Sequence, residues 1–179
     1  MIETHPFPSF VPPNAKYLIL GSFSGRQHSK ASSVYMQSYD FYYGTPRNQF
    51  WPILSEIYQR ELPDIESKKA LLSDLHIAIA DIIMQCERKA GTNSDANLIS
   101  IVYKHEEIAG ILRGNPIEKI FFTSRFTENK FRENYLPLIR QYPHIQLITL
   151  PSPSPRYARI AFPEKVAVYR EILPRENNP

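Results

Sequence analysis

The chain of 179 residues has one cysteine, Cys86, six glycines and one tryptophan. A lone thiol excludes a disulfide framework within the chain and any multi-cysteine metal site, and it fits a reducing compartment. Six glycines against 16 prolines argue against a glycine-rich nucleotide-binding domain and for a chain with many fixed loop corners. No apolar run approaches the roughly 18 residues that a membrane span needs. The opening residues, Met1-Ile2-Glu3-Thr4-His5-Pro6, carry no basic segment ahead of an apolar one, so a soluble cytoplasmic protein with no membrane partner is expected. Net charge is also scarce: a formal +3 leaves any anionic partner to be met by local clusters of charge.

Apolar residues make up 42% of the chain and aromatics 12%, with 11 Tyr and 10 Phe, enough for one sizeable core. Four short apolar runs read as strands buried on both faces: 17–20, 77–80, 117–122 and 145–150. Helical spacing joins Phe50, Leu54, Ile57 and Tyr58, then Leu98, Ile101, Val102, His105, Ile108 and Leu112, then Phe131, Tyr135, Leu138 and Ile139. A last helix opens at Pro163 and turns Val166, Tyr169 and Leu173 inward. The alternation predicts an α/β fold, a three-layer α/β/α sandwich around a central, mostly parallel four-stranded sheet. No repeat or linker divides it, so residues 1–179 form one domain, with 1–15 an extended arm, 174–179 a flexible tail, and a monomer expected.

In such a sheet the site lies beyond the carboxyl ends of the strands. After the first strand stands Gly21-Ser22-Phe23-Ser24-Gly25, without the spacing of a phosphate loop or a nucleophile elbow. It is followed by Tyr39, Phe41, Tyr42 and Tyr43, rings suited to stacking on a base, and by Arg47-Asn48-Gln49-Phe50-Trp51. Phe50 and Trp51 serve to anchor the next helix. Pro52 places the start of that helix near Asn48, whose amide is either a helix cap or a group that orients a water. After the second strand come Asp81, then Cys86-Glu87-Arg88-Lys89 in a loop, with Arg88 and Lys89 candidates for phosphate contacts, Cys86 a packing residue, and Ser94 or Asp95 a cap for the helix that follows. After the third, Ser124 opens a helix whose N–H groups can meet a phosphate. After the fourth, Pro151-Ser152-Pro153-Ser154-Pro155-Arg156 makes a stiff protrusion backed by Arg159. A rigid wedge of this kind loses little to ordering when it enters a duplex.

Together these segments resemble the uracil-DNA glycosylase superfamily over most of the chain. The first loop stands where the superfamily has its water-activating loop, the Asn48-Gln49-Phe50-Trp51 segment is similar to the N-x-F-W segment of its mismatch-specific members, and Ser152 to Arg156 is similar to its insertion loop. Two departures matter. Phe23 replaces the usual Asp or Asn, and Ser152 replaces the usual His or Asn. With Asp81, Cys86-Glu87-Arg88, Gly91 and Ser94-Asp95, this pattern is most similar to the hypoxanthine (deoxyinosine) DNA glycosylase branch.

The resemblance implies a hydrolase that flips a deaminated base out of DNA and leaves an abasic site, with Asn48 catalytic and no metal or cofactor. It implies that Gly21, Ser22, Phe23, Tyr43 and Asp81 bind the base, and that Arg47, Arg88, Ser124, Ser152, Ser154 and Arg156 contact DNA. Arg47, Arg88, Arg156 and Arg159 are expected on one face. The residues leave three alternatives open: a uracil or thymine mismatch glycosylase, a non-catalytic module that binds damaged DNA, and a small hydrolase with Ser24 as nucleophile.

Overall fold

The computed structural model describes residues 2–24, 41–89 and 95–176; Gly25, Tyr39, Gly91 and Ser94 lie outside them. The central sheet is parallel and four-stranded, in the order β3-β2-β6-β7, from β2 (Tyr17–Gly21), β3 (Ile77–Asp81), β6 (Lys119–Phe122) and β7 (Gln146–Thr149). The pairings run in register, Tyr17 opposite both Ile77 and Lys119, and Lys119 opposite Gln146, so the carboxyl ends finish level.

Alternate side chains of these strands feed two cores, which is why their sequences are apolar without alternation. Leu18, Leu20, Ala80, Ile120 and Phe122 face α3 (His105–Gly114) and α4 (Arg125–Asn134) through Ile108, Leu112, Phe131 and Tyr135. Ile19, Ile77, Ile79 and Phe121 face α1 (Phe50–Tyr58), α2 (Ile65–Asp74) and α6 (Phe162–Ile172) through Phe50, Leu54, Leu72 and Tyr169. The expected three-layer α/β/α sandwich with its parallel four-stranded sheet is present. Among the described residues no helix is long and apolar enough to cross a membrane.

Four local expectations are corrected. The helical face drawn through residues 98–112 is a strand followed by a helix: β5 (Leu98–Tyr103) precedes α3. Leu98, Ile101 and Val102 satisfy helical spacing, but Leu98-Ile99-Ser100-Ile101-Val102-Tyr103 is β-branched and half-exposed, and pairing with a neighbour decides its state. That neighbour is β4 (Ile83–Arg88), in the segment expected to be a loop; with β1 (Ile2–Thr4) the two form a second, antiparallel sheet in the order β1-β4-β5. Asp95 accordingly begins a short 3₁₀ turn, Asp95–Asn97, ahead of a strand and caps no α-helix. Lastly, the helix drawn from Phe131 to Ile139 breaks at Tyr135, because Pro137 has no N–H to offer and instead starts α5 (Leu136–Gln141).

The arm at residues 2–10 is tied to both sheets. β1 pairs with β4, and Phe10 exchanges backbone hydrogen bonds with Ile79 on the β3 edge at 3.0 and 2.9 Å. Phe121, fully buried on β6 beneath α1 and α6, holds the second core together. Phe121→Ala should cost roughly 3–5 kcal/mol of stability, read as a lowered midpoint in denaturant titration with an unchanged slope.

Candidate active site

The chain leaves β2 toward β3 on one side and β6 toward β7 on the other, so the crevice of the sheet opens at the carboxyl ends of β2 and β6. Gly21, at the end of β2, lies opposite Asp81 at the end of β3. A Cβ on Gly21 would collide with Asp81 Oδ1 and with the Tyr43 hydroxyl, and would come within 3.3 Å of Asp81 Cγ. Close approach, not an unusual φ, therefore requires glycine there. Tyr43 reaches this point from a left-handed backbone (φ 55°), rare for a ring-bearing residue and common at functional sites. Its hydroxyl is 2.9 Å from Thr123 Oγ1, just beyond β6, and its ring lies 4.4 Å from that of Phe50. Burial, reinforced by the nearby Asp81 charge, pushes the Tyr43 phenol well above its ordinary range, so it remains a neutral hydroxyl.

Asp81 is buried, and its partner is His5 from the arm. His5 Nε2 is 2.8 Å from Asp81 Oδ2, and Ser24 Oγ is 3.2 Å from the same nitrogen. Nδ1 faces the Phe7 backbone, 2.8 Å from its oxygen. Ser, His and Asp are thus together, but not as a relay. A nucleophilic serine needs the carboxylate and the hydroxyl on opposite ring nitrogens. Here both sit on Nε2, so the hydrolase alternative with Ser24 as nucleophile fails on geometry.

The first loop makes two further contacts. Ser22 is hydrogen-bonded to the carboxyl of Asp95 and accepts the Ile83 N–H through its carbonyl at 3.1 Å. Phe23 stands between His5 and Arg88, its ring 5.6 Å from the imidazole and 5.5 Å from the guanidinium. Arg88 corrects the expectation of four arginines on one face. Its side chain is only 1% exposed, its Nε donates to Glu3 Oε2 at 3.0 Å and its Nη2 to the Ser24 carbonyl at 3.0 Å. It ties the arm to the first loop from inside, whereas Arg47, Arg156 and Arg159 are exposed. Phe41 and Tyr42, expected in a stacking wall with Tyr43, are core residues, and the Tyr42 carbonyl accepts the Trp51 indole N–H at 2.7 Å.

Helix α1 starts at Phe50, and Asn48 stands two residues before it with its Oδ1 accepting the Phe50 N–H at 2.9 Å. This bond satisfies the first N–H of the helix from one residue ahead of the N-cap Gln49 and also fixes the direction of the amide, leaving its NH2 group and the second lone pair of the oxygen. The Asn48 segment is joined to the Pro-Ser loop: the Gln49 N–H donates to the Pro153 carbonyl at 2.9 Å, and the buried Lys165 donates to Gln49 Oε1 at 2.7 Å. The Tyr169 hydroxyl donates to the Pro151 carbonyl at 2.8 Å. Inside the loop, Ser152 Oγ accepts the Ser154 N–H and Ser154 Oγ accepts the Arg156 N–H, so both serines lock turns. Ser124 Oγ caps α4 by accepting the Thr127 N–H at 3.1 Å.

Gly21, Ser22, Tyr43 and Asp81 are therefore gathered around the ends of β2, β3 and β6, and His5 and Asp95 join them unforeseen. His5 gave no periodic or motif signal in a proline-rich arm. Asp95 lay in a segment whose reading as a helix cap hid it. Burial, opposed by the hydrogen bond from Ser22, reinforced by the Asp81 charge and opposed again by Arg88 and Arg156, leaves the Asp95 carboxyl raised to about 6. Because that lies above the ordinary aspartate range, the contribution of Asp95 to stability is complete only in acid and is lost as pH rises through 6. Asp95→Asn should thus leave thermal stability nearly unchanged at acid pH and raise it in mild alkali by about 1–2 kcal/mol, after allowance for partial exposure. Thermal melts of both proteins across that pH range check it.

No protein-family profile matches the chain, and no curated protein matches it in sequence. Solved structures do. One of them, determined in solution by NMR and provisionally designated a uracil DNA glycosylase from Methanosarcina acetivorans, aligns with a TM-score of 0.61 at 26% identity, over 96% of this chain and 98% of that one. The described residues have an α/β/α fold consistent with that structure, and the likeness supports the uracil-DNA glycosylase superfamily.

Proposed function

We propose that this protein is a monofunctional DNA glycosylase that excises a deaminated base, hypoxanthine foremost, and works on DNA as a cytoplasmic monomer. The observation that carries the reading is the joining of Asn48 to the Pro-Ser loop through Gln49 and Pro153, beside strand ends floored by Gly21, Asp81 and Tyr43. A group aimed at the sugar and a rigid wedge are then parts of one unit.

A base inside the duplex is out of reach, so it is flipped, at a cost of a few kcal/mol that is smallest at a poor pair. Arg156, exposed at the tip of the braced loop, fills the vacated stack. Arg47 contacts backbone phosphate, as do the N–H groups at the Ser124 cap. The flipped base stacks on Tyr43, whose ring is supported by Phe50. As the glycosidic bond breaks, the electron pair leaves with the base and the sugar gains cationic character. A water attacks C1′, forming the C–O bond as C–N breaks, and the proton it sheds passes through solvent to the departing base anion. Asn48 is too weak a base to deprotonate that water, and its contribution is to orient it through the free lone pair of the amide oxygen. Backbone N–H groups of the first loop stabilise the departing base.

The designation of the Methanosarcina acetivorans protein favours a second reading, in which uracil is the base removed. A panel of duplexes carrying deoxyinosine, deoxyuridine, deoxyxanthosine or a thymine mismatch, scored for alkali-labile sites, separates the two. It also separates both from a non-catalytic module, which would bind the lesion and leave every strand intact. Asn48→Ala should lower the single-turnover rate by about 100-fold or more. Near-normal excision by this variant would leave Asn48 as a cap alone. Arg156→Ala should slow excision from duplex roughly tenfold while sparing single-stranded substrate, in keeping with an unstacking cost of a few kcal/mol.

A further inference from the structure

We propose that His5, delivered by the N-terminal arm, is a positioning residue for base recognition: it holds Asp81 as an oriented carboxylate whose other oxygen accepts a ring N–H of the flipped base. The inference rests on the glycosylase reading above and on Asp81 belonging to the base pocket.

The arm is held on both sides of His5. Ahead of the ring, the His5 N–H donates to the Met84 carbonyl at 2.8 Å, and Glu3 is paired with Arg88. Beyond it, Phe10 is bonded to Ile79, and Pro6 and Pro8 stiffen the chain between. The imidazole is enclosed by Phe7, Phe23 and Tyr42, with ring centres 6.0, 5.6 and 5.6 Å away. Its side chain is 1% exposed and that of Asp81 is 6% exposed. A buried carboxylate needs donors to remain charged. For an ionised Asp81 every allowed tautomer of His5 has a proton on Nε2 that is donated to Oδ2, and the Ser24 hydroxyl faces the same oxygen at 3.5 Å.

Both donors therefore fall on Oδ2. Among the described residues Oδ1 accepts no hydrogen bond, and it lies over Gly21 beside the Tyr43 hydroxyl, at the strand ends. The chemistry of deamination supplies what this oxygen would read. When adenine loses its amine, ring nitrogen N1 changes from an acceptor to an N–H donor, and the corresponding nitrogen of cytosine does the same. A fixed carboxylate oxygen attracts that N–H and repels the lone pair of the undamaged base. A site built around such a bond discriminates strongly, because the mismatched base leaves a buried charge unpaired.

The test uses the full chain with duplexes containing deoxyinosine or 1-methyldeoxyinosine, in which a methyl group replaces the N–H. Wild type should excise hypoxanthine at least about tenfold faster than its 1-methyl form. His5→Phe keeps a ring among Phe7, Phe23 and Tyr42 but has no donor. It should lower the saturating single-turnover rate on deoxyinosine by about 10- to 100-fold and bring the preference near unity. Affinity for undamaged duplex, which a merely structural role would also disturb, should stay within about twofold. His5→Gln, whose amide keeps a donor, should recover part of the preference. A folded His5→Phe with wild-type rate and preference, or a wild type that excises both bases alike, overturns the proposal while the glycosylase reading stands. A wild type inert on every lesion sinks both.

Discussion

The site depends on one registration, that of Gly21 with Asp81 at the carboxyl ends of two parallel strands. Parallel pairing sets the two residues level, and the missing Cβ on Gly21 opens the space into which Asp81 Oδ1 and the Tyr43 hydroxyl both project. A slip of one residue would turn Asp81 to the opposite face of the sheet. The parallel pairing of β2 with β6 likewise places Thr123 within reach of Tyr43, so that three strand ends and one left-handed residue converge.

Polar and charged side chains are buried around this point in opposed sets. His5 faces Asp81, Arg88 faces Glu3, and Asp95 lies among Ser22, Arg88 and Arg156. Interior ion pairs add little to stability, because the desolvation of each partner offsets their attraction. Their effect is on geometry. Each pair has an acceptable energy only in one arrangement, so together they seat the arm, the first loop and the β3 end as one body. Phe23 belongs to this set. Standing where the superfamily it resembles has Asp or Asn, it packs between His5 and Arg88, and carboxyls from elsewhere in the chain, Asp81 and Asp95, supply the acidity of the site.

The Pro-Ser loop is rigid for a second reason besides its prolines. Carbonyl oxygens of Pro151 and Pro153 accept from Tyr169 and Gln49, and the two serine hydroxyls accept from backbone N–H groups within the loop. Lys165 is buried beneath it with Gln49 Oε1 as a hydrogen-bond acceptor and the Tyr157 ring 5.5 Å away. Helix α6 thus serves as a buttress, and the movement of loop and Asn48 is coupled through Gln49.

What the amino-acid sequence determined alone was whatever depends on neighbours along the chain. The four parallel strands and the first and last helices are legible because continuous apolar runs and helical apolar spacing are local properties. Helix α2 is absent from the sequence expectations, although the structure starts it with reciprocal hydrogen bonds between Asp64 and Ser67. Tertiary structure decided the rest. Residues 98–103 satisfy helical and extended spacing equally, and only β4 beside them selects the strand. Arg88 reads as a surface cation until Glu3, 85 residues away in sequence, is found against it. His5 has no meaning in its own segment. Its role arises from a contact across 76 residues, set by how the arm crosses from one sheet to the other, and a long-range pairing of that kind leaves no periodic trace in the chain that forms it.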